Sequence, residues 1–252
     1  MSIKSKVENR VASVELARPE KKNALTAQMY HQLAAALAAA DADPQVRAIL
    51  LHGSQECFTA GNDVGDFLSR PAGAEPPVVE LFKVLPSLAK PIVAAVGGPA
   101  VGIGSTMLLH CDLVYAATNA RFQLPFVPLG IVPEFASTYL LPLLAGYQRA
   151  AELLLLGQPF SAQKAQEIGM VCEVVPPEQL FSKAREAASM LAALPPESLR
   201  LTKRLLKKRH GAAIAETISE ETKIFSERLS SPEAKEAMSA FLEKRKPDFS
   251  RF

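Results

Sequence analysis

The chain has 252 residues, 48% of them hydrophobic, with 28 Lys and Arg against 26 Asp and Glu and a formal net charge of +2. That length and apolar content suffice for one large domain or two modest ones, and so small a charge gives no reason to expect nucleic acid or a membrane surface as partner. Cys57, Cys111 and Cys172 are odd in number and lack metal-ligand spacing, which excludes a disulfide framework, points to no metal, and fits a reducing cytoplasm.

The first ten residues contain no apolar run, so no secretory signal is expected. Val11 to Leu16 alternates as a half-buried strand does, and Val46 to Leu51 has the denser apolar character of a buried one. Between them Thr26 is a plausible N-cap for a helix to Ala40, with apolar Met29, Leu33 and Leu37 on one face. Cys57-Phe-Thr-Ala-Gly-Asn-Asp63 is a glycine turn after a strand, an ordinary feature on its own. Pro71-Ala-Gly-Ala-Glu-Pro-Pro77 has the composition of a loop.

Pro91 to Leu109 is long and apolar enough to resemble a membrane span. Its glycines, Pro99 and the lack of a second span favour a buried strand (Ile92 to Val96), a glycine turn and a buried helix. Backbone N–H groups at such a helix start can bind an anion or a developing oxyanion. A dinucleotide fingerprint fails on spacing, because Ser105, Thr106 and Met107 stand where a third glycine is required. A phosphate loop fails for want of Gly-Lys-Ser/Thr. Val171 to Val175 has the pattern of the last strand, and beyond Pro176 the chain is helical, punctuated by Pro195-Pro196, Gly211 and Pro232. Strands first and helices last predict an α/β core over residues 1–190 and a helical subdomain over 191–252.

Glu134 is the one charged residue between Arg121 and Arg149, set among Phe126, Val127, Ile131, Val132 and Phe135. Desolvation there would raise its pKa and suit it to carry a proton near neutral pH. The competing reading, which this segment alone favours, is an exposed Glu after Pro133 in the first turn of a helix. His31 is expected at the surface, and His52 and His110 in packing roles. His210, Lys207, Lys208 and Arg209 form a solvated basic face, or else attract phosphates. Asp112 and Arg121 are candidates for a structural pair.

Taken together, Arg18-Pro-Glu-Lys-Lys-Asn-Ala-Leu25, Phe58-Thr-Ala-Gly-Asn-Asp63, Lys90-Pro-Ile-Val-Ala-Ala-Val-Gly-Gly98, Cys111-Asp112 and Phe241-Leu-Glu-Lys-Arg-Lys246 resemble the crotonase (enoyl-CoA hydratase/isomerase) superfamily across essentially the whole chain. The resemblance implies a spiral of ββα units, a C-terminal helical trimerisation region and an acyl-CoA thioester substrate. It further implies a homotrimer or a dimer of trimers, with no cofactor beyond the CoA of the substrate. Matched to the family, the N–H groups of Ala60 and Ile103 would hold the thioester oxygen. Lys22, Ala24, Leu25, Ala60, Gly61, Asn62, Asp63, Val64, Gly102, Ile103 and Phe126 would contact substrate.

Thr106 and Phe126 occupy the two positions where hydratases of the family carry glutamates, which argues against hydration. Glu134 falls where isomerases of the peroxisomal type carry their catalytic glutamate. The expected activity is therefore movement of a double bond from position 3 to position 2 of an enoyl-CoA, as in fatty acid β-oxidation, by a one-base proton shuttle. Phe126, Val127 and Phe135 are its expected dry wall. The alternatives are another reaction of the family (hydration, dienoyl or ring isomerisation, dehalogenation, hydrolysis) and a silent acyl-CoA-binding subunit. Terminal Ser-Arg-Phe is a poor match to a peroxisomal address, so a cytoplasmic protein is expected.

Overall fold

The computed structural model describes residues 2–63, 65 and 76–252. Its main sheet runs β1 (Ile3–Glu8), β2 (Val11–Leu16), β3 (Ala48–His52), β4 (Ile92–Val96), β6 (Leu113–Ala117), β9 (Glu173–Val175) in spatial order. Only β1 against β2 is antiparallel; every other pair is parallel. Parallel strands are covered on both faces, and β3 and β4 are buried at every residue. Alternation divides them: Ile49, Leu51, Ile92, Ala94 and Val96 join the larger core, while Ala48, Leu50, Val93 and Ala95 join a smaller one. Helix α1 (Ala27–Ala42) packs into the larger core through Met29, Leu33 and Leu37. Thr26 caps it, its hydroxyl oxygen accepting from Met29 N at 3.3 Å.

A second, smaller layer consists of β5 (Pro99–Val101), β7 (Arg121–Gln123) and β8 (Phe160–Ser161). Single parallel bridges continue it, Thr59 against Ala100 and Leu25 against Asn62. Each turn of the chain thus places one strand in the main sheet and the next few residues in the second layer. That repetition is the crotonase spiral, and it stacks residues 22–25, 59–63, 99–102 and 121–123 side by side. The short strand β5 was not expected: it intervenes between Val96 and the helix that begins at Ile103. The strand expected at Val46 begins at Ala48, and the last begins at Glu173 rather than Val171. Of the Pro71–Pro77 loop, Pro76 and Pro77 are described and lead into α2 (Val78–Ser87); the remainder lies outside the described residues.

Helices α3 (Ile103–Thr106), α4 (Ser137–Ala145), α5 (Tyr147–Leu156) and α6 (Ala162–Glu167) follow. Then α7 (Leu180–Ala193) covers the second face of the main sheet with Leu180, Ala184 and Ala188. The C-terminal helices are α8 (Pro196–Lys208), α9 (Gly211–Leu229) and α10 (Pro232–Leu242). No helix among the described residues is long and apolar enough to cross a membrane.

The expected Asp112–Arg121 pair does not form. Asp112 instead accepts from Lys203 Nζ at 2.7 Å and from Ile92 N at 2.7 Å, and Arg121 donates to the Ala120 carbonyl at 2.8 Å. Lys203 Nζ also donates to the Lys90 carbonyl at 2.6 Å, so one buried ammonium ties α8 to the entry of β4 and the entry of β6. Removing one partner of a buried pair leaves the other uncompensated. Lys203→Met is therefore expected to destabilise the chain by about 3 kcal/mol, measured as a lower urea midpoint at unchanged slope.

Candidate active site

Two glycine loops meet beside the second layer. In the first, Asn23 adopts a left-handed conformation (φ 53°) and is buried. Its amide donates to the carbonyls of Cys57 and Phe58, both at 3.1 Å. Thr59 returns the tie, its hydroxyl donating to Asn23 O at 2.7 Å and accepting from Gly61 N at 3.1 Å. Arg18 closes the corner, reaching Asp63 Oδ2 and the Ala24 carbonyl at 2.8 Å each.

This bracing decides which N–H groups are available. Ala60 N donates to Lys22 O at 2.9 Å, so the expected donor is already committed. Leu25 N donates to Gly61 O and Asp63 N to Leu25 O, the pattern of a parallel bridge centred on Asn62. The N–H of the bridged residue points away from its partner strand. Among the described residues the free donor of this loop is therefore Asn62 N–H, not Ala60 N–H. The Asn62 side chain is anchored separately by the Tyr30 hydroxyl.

In the second loop Gly102 takes φ 56° and ψ −117°, a region open in practice only to glycine. It turns the chain from β5 into α3, and its carbonyl accepts from Ser105 N and Thr106 N. Gly104 is needed for closeness: a Cβ there would stand 2.6 Å from Thr59 Cγ2. The Ile103 N–H, at the first turn of α3, has no backbone acceptor among the described residues, as expected at a helix start. A cavity of about 360 Å³ is bounded by both loops (Ala60, Gly61, Asn62, Gly102), by Phe126 and Ile131, and by Phe225, Met238 and Phe241 from α9 and α10. Lys22 is exposed at its margin of the fold, Ala24 half-buried and Leu25 buried. Val64 lies outside the described residues.

Glu134 is not in the first turn of a helix. Phe135 (φ 62°) and Ala136 (φ 55°) are both left-handed and separate it from α4. Consecutive left-handed residues other than glycine are costly and persist only where the surroundings impose them. Here His110 Nε2 meets the Phe135 carbonyl at 2.9 Å, and the Phe135 ring stacks on His110 at 4.0 Å and packs tilted against Phe82 at 4.4 Å. From α9, Glu221 accepts from Ala136 N at 2.6 Å, from Thr138 N at 3.0 Å and from the Thr138 hydroxyl at 2.6 Å. Glu221 thereby caps α4 from another helix, the role first considered for Glu134.

Freed of that role, the Glu134 carboxyl is 3% exposed, and its Oε1 has no hydrogen-bond partner among the described residues. Burial pushes its pKa up to about 8, and the charge of Glu221 adds to the effect. Thr106 Oγ1 and Ser137 Oγ are likewise buried without partners. Phe126 and Phe135 are buried, as a dry wall requires, whereas Val127 is 42% exposed and takes no part in one.

His31 pairs with Glu80 at 2.5 Å on the surface. His52 bonds the Ser13 hydroxyl at 2.8 Å, and burial holds His110 near 4, hence neutral. The basic cluster is less solvated than its sequence suggests. Lys207 Nζ donates to the His110 carbonyl at 3.2 Å, and His210 Nδ1 meets the Tyr139 hydroxyl at 3.0 Å. His110, Lys207 and His210 join Phe82, Leu109, Leu140, Ile214 and Ile218 around a second cavity of about 720 Å³. Glu221 was missed by sequence reasoning because nothing local marks a Glu in a helix as the cap of another helix.

The raised Glu134 pKa has a consequence for stability. Between the unfolded value near 4.5 and the folded value near 8 the native state holds a proton that the unfolded state has lost. Stability is then reduced as pH rises through this window, by roughly 5 kcal/mol at most at ~1.4 kcal/mol per unit. Glu134→Gln, which keeps the shape without the ionisation, should melt close to wild type at pH 5 and well above it at pH 9. Parallel melting curves across that range check it.

The profile of the Enoyl-CoA hydratase/isomerase family matches residues 6–251. A 1,2-epoxyphenylacetyl-CoA isomerase of Escherichia coli (strain K12) is 38% identical over 98% of this chain and 97% of its own. The enoyl-CoA delta isomerase 2 of Rattus norvegicus is 35% identical over 95% of this chain and 63% of its own. The crystal structure of an enoyl-CoA hydratase/isomerase from Pseudoalteromonas atlantica T6c superposes with a TM-score of 0.94 at 41% identity, covering 99% of this chain and 100% of that one. Family profile, relatives matched over nearly all of this chain and shared spiral agree: the chain belongs to the enoyl-CoA hydratase/isomerase (crotonase) family, whose members act on acyl-CoA thioesters.

Proposed function

We propose that this chain is an enoyl-CoA isomerase that moves a double bond from position 3 to position 2 of an acyl-CoA. The observation that carries the reading is Glu134, a buried carboxyl with an unpartnered oxygen and a pKa near 8. The ionised carboxylate removes a proton from C2 of a 3-enoyl-CoA. The electron pair moves onto the thioester, giving a dienolate whose oxygen is held by the N–H groups of Asn62 and Ile103. Donors fixed beforehand at a developing negative charge supply on the order of 3 kcal/mol each. The proton on Glu134 then returns to C4, the double bond closes between C2 and C3, and the carboxylate is regenerated. One base serves both transfers, and no metal or redox group is called for.

Water must be kept out, since a dienolate is easily protonated elsewhere. Phe126 and Phe135 serve this end. Hydration is disfavoured because Thr106 and Phe126 stand where hydratases hold their water with carboxylates. The 360 Å³ cavity between the glycine loops suits the thioester end of the substrate. The 720 Å³ cavity suits the acyl chain: two of its wall residues, Phe82 and His110, pack against the Phe135 ring next in sequence to the base. Lys22, Ala24 and Leu25 lie on the strand-like edge that carries the CoA contacts in this reading.

Leu143, Leu144, Tyr147, Leu155 and Leu156 leave an apolar surface exposed on α4 and α5. It supports the homotrimer, or dimer of trimers, that the family relation suggests. Free Cys57, Cys111 and Cys172 accord with a cytoplasmic setting. Sedimentation equilibrium should give three or six chain masses; a monomer would refute the assembly.

The decisive assay incubates purified protein with a medium-chain 3-enoyl-CoA and identifies the product by chromatography and mass. The expected product is the 2-enoyl-CoA at unchanged mass, with Glu134→Gln slower by roughly 10²–10⁴-fold. Because only the ionised base acts, kcat/KM should climb about tenfold per pH unit below 8 and level off above it. A product heavier by one water would assign hydration instead, and a wild-type rate in Glu134→Gln would remove the base.

A further inference from the structure

Glu221 stands 87 positions along the chain from the base yet holds the turn on which the base depends. Three donors converge on its carboxylate: Ala136 N–H on Oε2, and the Thr138 N–H and hydroxyl on Oε1. Ala136 is the second of the two left-handed residues that lift Glu134 out of α4. The acceptor for the Ala136 N–H is therefore part of what keeps the unfavourable turn in place. Glu221 is itself 5% exposed and belongs to α9, a helix that also contributes Phe225 to the 360 Å³ cavity.

Resting on the isomerase reading above, we propose that Glu221 is a positioning residue: its carboxylate clamps the Phe135–Ala136 turn and so fixes where the Glu134 carboxyl stands. The clamp requires an acceptor at both oxygens, which a carboxylate supplies and an amide does not. In Glu221→Gln the carboxamide oxygen can serve Thr138, but its NH₂ would then face the Ala136 N–H, donor against donor.

The same arrangement couples the two carboxyls electrostatically. The charge that bears on Glu134 is that of Glu221, and Glu220, its neighbour on α9, bears in turn on Glu221. From the turn after α3, His110 packs on Phe135 and is neutral, while Lys207 of α8 contacts the His110 carbonyl. Loss of the Glu221 charge thus removes a repulsion from Glu134 and leaves its desolvation standing.

The test measures two things on wild type, Glu221→Gln and Glu221→Asp. The first is the steady-state kinetics of the 3-enoyl-CoA reaction against pH. The second is the infrared C=O band of the protonated Glu134 carboxyl, identified as the band missing in Glu134→Gln and titrated in each protein. In Glu221→Gln, kcat is expected to fall by about tenfold or more at little change in KM, with the Glu134 midpoint lower by about one pH unit. Glu221→Asp, which keeps the charge, should restore the midpoint and part of kcat.

A lowered kcat with an unmoved midpoint in Glu221→Gln would make Glu221 an ordinary helix cap and overturn the proposal. So would wild-type kinetics in that variant. Should Glu221→Gln fail to fold, Glu221→Asp carries the test: a wild-type midpoint with lowered kcat supports the proposal, and unchanged kcat overturns it. The infrared titration needs no turnover. A midpoint moved by Glu221→Gln in a protein without isomerase activity would keep the coupling and reject only the reaction.

Discussion

The site depends on one unfavourable act, the burial of a carboxyl group whose Oε1 finds no hydrogen-bond partner among the described residues. Glu134 has hydrophobic residues on either side in sequence and a backbone that turns left-handed directly after it. Neither feature would survive in isolation. The turn persists because its flanking polar groups are satisfied from outside: the Phe135 carbonyl by His110 and the Ala136 N–H by Glu221. The Phe135 ring is held between His110, on which it stacks, and Phe82, against which it packs tilted. The energy of packing thus maintains a group that would otherwise move to water or gain a partner, and the result is a pKa placed for proton transfer near neutral pH.

The spiral supplies the other half of the site. Each parallel crossover brings the residues after a main-sheet strand into the second layer, beside those of the preceding turn. Segments far apart in sequence, 22–25, 59–63 and 99–102, therefore become neighbours in fixed register. Register decides function here at the level of single N–H groups. The bridge between Leu25 and Asn62 uses the amides of Leu25 and Asp63, and Ala60 is spent on Lys22, which leaves Asn62 directed elsewhere. A shift of one residue would commit the donor that the proposed chemistry needs.

Much of this was legible in the sequence, for identifiable reasons. Thr26 and the spacing of Met29, Leu33 and Leu37 announce α1; the β-branched runs announce β2, β3 and β4; Gly102 marks a turn whose angles require glycine. The family resemblance implied the spiral, and it joined the isolated, apolar setting of Glu134 in singling that residue out. What escaped was set by tertiary contact. The short strand β5 is held by a partner, β7, twenty-two positions on at its register, and no local pattern distinguishes its three residues from loop. The family match points to Ala60 as donor, and the structure frees Asn62 N–H instead, because hydrogen-bond direction within a single bridge is invisible to motif matching. Asp112 was paired with Arg121, its near neighbour, when the actual partner, Lys203, lies 91 positions away on α8.

Contacts between residues far apart in sequence also make the C-terminal helices more than a cover. Helix α8 is fastened to the sheet by Lys203, and α9 reaches the Phe135–Ala136 turn through Glu221. Helix α10 is steadied by Glu236, on which Arg245, Arg251 and the Asp248 N–H converge, holding its carboxyl near 2. Two carboxylates of one chain thus have opposite fates. Glu236 is ionised because cations surround it and it fixes structure; Glu134 is near its midpoint because nothing neutralises it and burial opposes its charge. A glutamate without partners can exchange a proton only if other groups carry the structural work of its segment. Glu221 does so for the turn at Glu134, which leaves the Glu134 carboxyl available for the proposed proton transfer.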